Sequence, residues 1–131
     1  MIFLDTSAIY ALADERDENH EKAKGLFDLA LSQGEQFSLH SYILIEASAL
    51  LQRRLGLEQT KKFLKESARF QIVWIDSSLH KLAEDYFFKH ATRKLSLVDC
   101  ASFVVMRQQG IMKALAFDDD FPKAGSRLYG K

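Results

Sequence analysis

Four carboxylates stand where the surrounding residues call for a dry interior. Asp5 closes the apolar run Ile2-Phe3-Leu4, and Glu46 splits Tyr42-Ile43-Leu44-Ile45 from Ala47-Ser48-Ala49-Leu50-Leu51. Asp99 lies within Leu97-Val98-Asp99-Cys100-Ala101, and Asp118 follows Ala114-Leu115-Ala116-Phe117. An ionised carboxylate in an apolar setting needs a counter-charge and hydrogen bonds. No lysine or arginine falls within four residues of any of these acids. On a helix, Glu46 has Tyr42, Ile43, Ala49 and Leu50 as its three- and four-apart neighbours, and none can neutralise it. The compensating charge must come from elsewhere. Oxygen donors without a histidine or cysteine cluster select a hard divalent cation, Mg²⁺ or Mn²⁺, over zinc. One such ion leaves about two negative charges unmatched, so a second metal, a shared proton or a basic side chain completes the set.

Gathering acids spread over 113 residues, from Asp5 to Asp118, requires a fold that brings distant segments to one place. The pattern supplies one. Ile2-Phe3-Leu4, Phe37-Ser38-Leu39, Ile72-Val73-Trp74-Ile75 and Ala114 to Phe117 read as short buried strands. Helical stretches lie between them: a short turn from Ser7, His20 to Gln33 ended by Gly34, and Ser41 to Leu55 ended by Gly56. Two more run from Glu58 to Ala68 and from Ser96 to near Gly110, with a further helix capped by Asp76 or Ser77. Ser41 is the expected cap of its helix, which is apolar on nearly every face and is therefore expected to be buried. Alternating strands and helices argue for βαβ units and a parallel sheet. In such a sheet all strands end on one edge, where the following helices begin. Asp5 and Asp118 are at strand ends, and Asp99 and Glu46 are in early helical turns. All four acids are thus expected on one edge.

Each acid also has an ordinary explanation. Ser96-Leu97-Val98-Asp99 is an [ST]-x-x-[DE] helix start, a strand-end aspartate commonly caps a turn, and Asp118-Asp119-Asp120 suits a solvated turn. A buried Glu46 is the hardest to account for in this way. The coincidence of four on one edge decides for chemistry.

Composition bounds the remaining choices. A chain of 131 residues, 47% hydrophobic and 27% charged, fits one domain spanning residues 1–131 and excludes disorder. Eighteen basic and eighteen acidic residues cancel, so a polyanion must be held by local patches or bound cations. The lone Cys100 forms no internal disulfide and reads as a core residue, which points to a reducing cytosol. Ala8 to Ala13, the longest apolar run, is too short to cross a membrane, and no basic residue precedes Asp5 as a secretory start requires. His20, His40, His80 and His90 lack zinc spacing, and no P-loop, G-x-G-x-x-G or G-x-S-x-G occurs.

Taken together, Ile2-Phe3-Leu4-Asp5-Thr6-Ser7-Ala8, the helical Glu46, Leu95-Ser96-Leu97-Val98-Asp99-Cys100 and Ala116-Phe117-Asp118-Asp119-Asp120-Phe121 resemble a PIN domain. More specifically, the chain resembles the VapC-type ribonuclease toxins of bacterial and archaeal toxin–antitoxin pairs, from residue 2 to about residue 121. The resemblance implies a PilT N-terminus-like α/β fold, three-layer α/β/α, with a parallel sheet of four or five strands. It implies a Mg²⁺- or Mn²⁺-dependent endoribonuclease in which Asp5 and Asp99 match the direct metal ligands. Glu46 and Asp118 match the other acidic positions, and Thr6 and Ser96 match supporting hydroxyls. The family often has a hydroxyl residue just ahead of its last acid, where this chain has Ala116 and Phe117. The last position is therefore assigned to Asp118, with Asp119 and Asp120 open as alternatives.

The resemblance also implies a homodimer and an antitoxin that blocks the acidic edge, contacts that Tyr10 or Phe88 could serve. Lys89, His90, Arg93 and Lys94 precede Asp99, and Arg53-Arg54 end the helix carrying Glu46; Arg93 and Lys94 are the expected RNA contacts. Two other functions remain open. A haloacid-dehalogenase-type phosphatase would want an aspartate where Ser7 stands, and a non-catalytic PIN domain would only bind RNA or a partner.

Overall fold

Ile2, Phe3 and Leu4 are buried and form β1 (Ile2–Leu4), the middle strand of a sheet whose order is β3-β2-β1-β4-β5. The computed structural model describes residues 1–130. The other strands are β2 (Phe37–His40), β3 (Gln71–Val73), β4 (Lys113–Leu115) and β5 (Arg127–Leu128), and every neighbouring pair is parallel. Strands covered on both faces read as unbroken apolar runs rather than alternating ones. Ile2 is opposite both Phe37 and Lys113, and Leu4 is opposite Leu115, so β1 and β4 end level with each other.

Helices α1 (Thr6–Ala13) and α2 (His20–Ser32) join β1 to β2, and α3 (Ser41–Leu55) and α4 (Leu57–Ser67) join β2 to β3. The chain then returns across the sheet through α5 (Ser77–His90) and α6 (Leu97–Gln109) to place β4 on the other side of β1. Right-handed crossovers put the helices of the outward and return journeys on opposite faces. The four-residue α7 (Asp120–Lys123) closes the step to β5. Strand order therefore reverses between β1 and β4, and such a reversal opens a crevice beyond the strand C-termini. The α/β class and the five-stranded parallel sheet agree with expectation.

Aromatic side chains lock the layers. Phe27 stacks on Phe37 with ring centres 4.5 Å apart, and Phe70 meets both edge-on. Across the sheet, Phe121 meets Phe103 at 5.2 Å and Phe3 at 6.2 Å, which anchors α7 just past Asp118. Such contacts add to burial by an order of 0.5–1.5 kcal/mol each. Within this core the hydroxyl of Ser38 has no hydrogen-bond partner, which nothing in the structure explains. Among the described residues no helix is long and apolar enough to cross a membrane.

Several expected boundaries shift for visible reasons. β3 stops at Val73 because the backbone turns away: Trp74 is 67% exposed and Ile75 N–H donates to Ser41 Oγ at 3.0 Å. With its hydroxyl so engaged, Ser41 is not the cap of α3; His40 is, accepting from Ile43 N–H through Nδ1. β4 ends at Leu115, and Phe117 N–H instead bonds Ser7 Oγ. α3 is not buried all round. Ile43, Ala47 and Leu51 face the core at four-residue spacing, whereas Ile45 is 64% exposed and Glu46 lies on the same open side. α7 and β5 are too short to leave a periodic signal and were not anticipated.

Candidate active site

The crevice at the strand reversal is bordered by the end of β1 and the end of β4, and the chain puts an aspartate just past each. Asp5 caps α1: its Oδ2 accepts from Ser7 N–H at 3.1 Å and from Ser7 Oγ–H at 2.6 Å. Ser7 Oγ in turn accepts from Phe117 N–H at 3.1 Å, which ties the two strand ends together across 110 residues of chain. Asp118 follows, its Oδ1 accepting from Asp120 N–H at 3.0 Å. Asp99 completes a capping box on α6, with Ser96 N–H donating to its Oδ2 at 3.0 Å and Ser96 Oγ accepting from Asp99 N–H. Each aspartate thus has one oxygen held by a local donor, which fixes its direction, while the other oxygen carries none of these bonds.

These three carboxylates feel one another. Asp5 is 5% exposed, and burial pushes its pKa up to about 7, with Asp118 and Asp99 adding like-charge repulsion. Asp118, half-buried, is also raised by burial, with Asp120, Asp99 and Asp119 contributing repulsion. Among the described residues none of Asp5, Glu46, Asp99 or Asp118 forms an ion pair. Of the consecutive aspartates, Asp118 is the one that acts on Asp5. Asp119 is exposed and turned to Lys123 at 3.2 Å; that bond lowers its pKa, and Lys94 adds to the effect.

Glu46 differs from expectation. It is exposed rather than dry, because it lies on the open side of α3, and solvent supplies what a buried glutamate would lack. It still reaches the same edge, where Oε1 accepts from Thr6 Oγ1–H at 2.8 Å, one residue from Asp5. The edge therefore has a buried centre, Asp5, flanked by Asp99 and Asp118, with Glu46 at the solvent rim.

Among the described residues no group of three or more acidic, histidine or cysteine side chains is arranged to hold a metal ion. The donor chemistry nevertheless fits a hard cation: oxygen ligands only, a buried carboxyl without counter-charge, and two acids repelling it from close by. The histidines and the cysteine stay outside the set. Cys100 is buried and its thiol is pushed up to about 11, mainly by burial, as befits a packing residue.

Several supporting residues could not be singled out beforehand. Ser7 was legible only as a hydroxyl near Asp5; its bond to Phe117 is a tertiary event. His40 is fully buried, and burial lowers its pKa to about 4. Because Nδ1 accepts from Ile43 N–H, Nε2 carries the proton and donates to Ser102 Oγ at 2.9 Å, which donates to Val98 C=O at 3.1 Å. That chain fastens the start of α3 to the first turn of α6, beside Asp99. Of the basic residues, Arg93 and Lys94 are exposed in the α5–α6 connection, whereas the Arg54 guanidinium lies over the Tyr10 ring, 5.4 Å from its centre. Phe88 is 77% exposed.

Known proteins share this fold. The family model described as the PIN domain matches residues 2–126. The 23S rRNA-specific endonuclease VapC20 of Mycobacterium tuberculosis is 35% identical over 127 residues, 95% of each chain, in both strains CDC 1551 and H37Rv. A crystal structure of VapC20, described as a sarcin–ricin loop cleaving toxin, superposes with a TM-score of 0.85 and 33% identity over 96% of each chain. FitAcB from Neisseria gonorrhoeae shares the fold with a TM-score of 0.69 at 15% identity, over 99% of this chain and 97% of that one.

The raised pKa of Asp5 has a measurable consequence. The unfolded state releases this proton near pH 4 and the folded state only near pH 7, so stability falls as pH rises between them. In the presence of chelator, Asp5→Asn is expected to be more stable than the parent at pH 8, by up to about 4 kcal/mol. At pH 4 the difference should vanish. Urea denaturation at both pH values checks this, and an equal difference at each would show Asp5 to be an ordinary cap.

Proposed function

The chain belongs to the PIN domain family, and from that membership and its acidic edge we propose a divalent-metal-dependent endoribonuclease, the toxin of a toxin–antitoxin pair. The observation that carries this reading is the buried, uncompensated Asp5 at the strand reversal, with Asp99 and Asp118 close enough to repel it. Identity of 35% with a 23S rRNA-specific endonuclease supports structured ribosomal RNA as the substrate class. PIN nucleases generally use a divalent metal, and the all-oxygen donor set favours Mg²⁺ or Mn²⁺ here.

When bound, such an ion neutralises charge developing on the phosphate and lowers the pKa of a water. Asp5 and Asp99 would hold such an ion. Ser7 and Ser96 keep those carboxylates aimed. Glu46, wet and steadied by Thr6, takes the proton from the attacking water, and Asp118 orients that water from the β4 side. No side chain at the edge is an activated nucleophile, so hydrolysis proceeds in one displacement. Arg93 and Lys94, exposed and unpaired among the described residues, contact phosphates beside the scissile bond. The reaction takes place in the cytosol, where ribosomal RNA is found.

Two partners complete the proposal. A cognate antitoxin covers the acidic edge until the toxin is released. A second copy of the chain packs on the exposed apolar residues Ile45 and Trp74, 64% and 67% exposed.

Asp5→Asn and Asp99→Asn are each expected to abolish Mg²⁺- or Mn²⁺-dependent cleavage of 23S rRNA, read by primer extension, while circular dichroism stays native. Neither variant should arrest growth when expressed, and the antitoxin should relieve the arrest caused by the parent. Full activity in either variant removes the mechanism. Arg93→Ala with Lys94→Ala should weaken RNA binding and lower its salt slope by about 1 for each lost phosphate contact; an unaltered slope returns them to ordinary surface. Sedimentation should find the parent dimeric and Trp74→Asp monomeric, and a monomeric parent discards the dimer.

A further inference from the structure

Basic residues gather on one side of the protein, next to the acidic edge. A groove of about 550 Å³ runs between α5, α6 and α7, and its lining includes Lys89, His90, Arg107 and Lys123. Lys89 and Arg107 are exposed and form no ion pair among the described residues. Asp85 is the acid that lines the groove, and it is engaged by Lys81 at 3.6 Å. Lys89 and Arg107 each lie in the last turn of a helix, where a cation is favoured by the helix dipole. That preference explains each residue alone but not the meeting of both in one groove.

Two further observations give the groove a ligand. It is continuous with the acidic edge, because Lys123 lines it and also pairs with Asp119, the neighbour of Asp118. It also contains a ring platform: the exposed His90 ring lies 4.4 Å from the Tyr86 ring, tilted by 39°. Cations beside an aromatic pair with one exposed ring are a combination that holds single-stranded nucleic acid, with phosphates on the charges and an unstacked base on the ring. A chain with no net charge has no general attraction for RNA, so a concentrated patch of this kind must supply it.

We propose that this groove binds the RNA strand on one side of the scissile phosphate, with Lys89, Arg107 and Lys123 on its backbone and His90 with Tyr86 under an unpaired base. The proposal rests on the ribonuclease reading and extends it from the cut site to the path of the substrate. It places recognition in a groove beside the acidic edge, on residues that take no part in the hydrolysis.

The test measures binding on an Asp5→Asn background, by fluorescence anisotropy of a labelled RNA hairpin at several KCl concentrations. Lys89→Ala with Arg107→Ala should raise the Kd by about tenfold and lower the salt slope by about 2, one for each cation removed. His90→Ala should raise the Kd with the slope unchanged, since it removes stacking rather than charge. In the cleavage-competent protein the double variant should raise KM and preserve kcat. A control, Lys24→Ala with Lys62→Ala, removes the same charge from a different cavity and should leave binding as it was. Unchanged affinity and slope in the groove variant, or an equal loss in the control, overturns the proposal. So does a groove that binds polyglutamate while its mutation leaves RNA affinity untouched, which assigns it to an acidic peptide. Absence of cleavage by the parent would strike the nuclease reading instead, because the binding measurements do not depend on turnover.

Discussion

One carboxyl group that the fold cannot neutralise organises this protein. Asp5 must sit at the end of the central strand, because β1 is the strand from which the chain departs in one direction and to whose other side it returns. That position is buried, and among the described residues the hydrogen bonds to the Asp5 carboxylate come from Ser7 alone. Burial, with Asp99 and Asp118 adding their repulsion, raises the pKa of this group to about 7. A buried charge of this kind costs stability, and it persists where an external ligand recovers the loss. In the proposed reading, the acidic edge would hold a cation for the same reason that it is a weak point of the fold.

The hydrogen bonds that make helices here also aim the acids. Asp5 caps α1, Asp99 closes the capping box of α6, and Asp118 receives the backbone of Asp120 at the start of α7. In each case a local hydrogen bond occupies one oxygen and fixes the side chain, so no separate scaffold is needed to orient the other. The ordinary and the functional explanations of these residues are therefore compatible, and a capping motif does not argue against ligation. His40 and Ser102 serve the same end from beneath, holding the first turns of α3 and α6 in register through a neutral, buried imidazole.

Charge is divided by place rather than by total. Acids with no partner occupy the crevice, while unpaired cations occupy the α5–α6 connection and the groove beside it. Between them Lys123 and Asp119 form an exposed pair, so the two regions adjoin without cancelling.

The sequence by itself determined the strand ending in Asp5, the capping box at Ser96 and Asp99, the alternation of strands and helices, and hence the shared edge. These features rest on short-range physics: helix caps, apolar periodicity and backbone propensity act between residues a few positions apart. It misjudged Glu46, because a run of apolar neighbours does not say which face of α3 another element will cover. It could not show α7 or β5, which are shorter than any period, or the bond from Ser7 to Phe117, whose partners lie 110 residues apart. Only the tertiary structure decided which acid is dry, which is wet, and which of three consecutive aspartates turns inward. Burial and electrostatic coupling are properties of packing between distant segments, and they exist only once the sheet has closed around them.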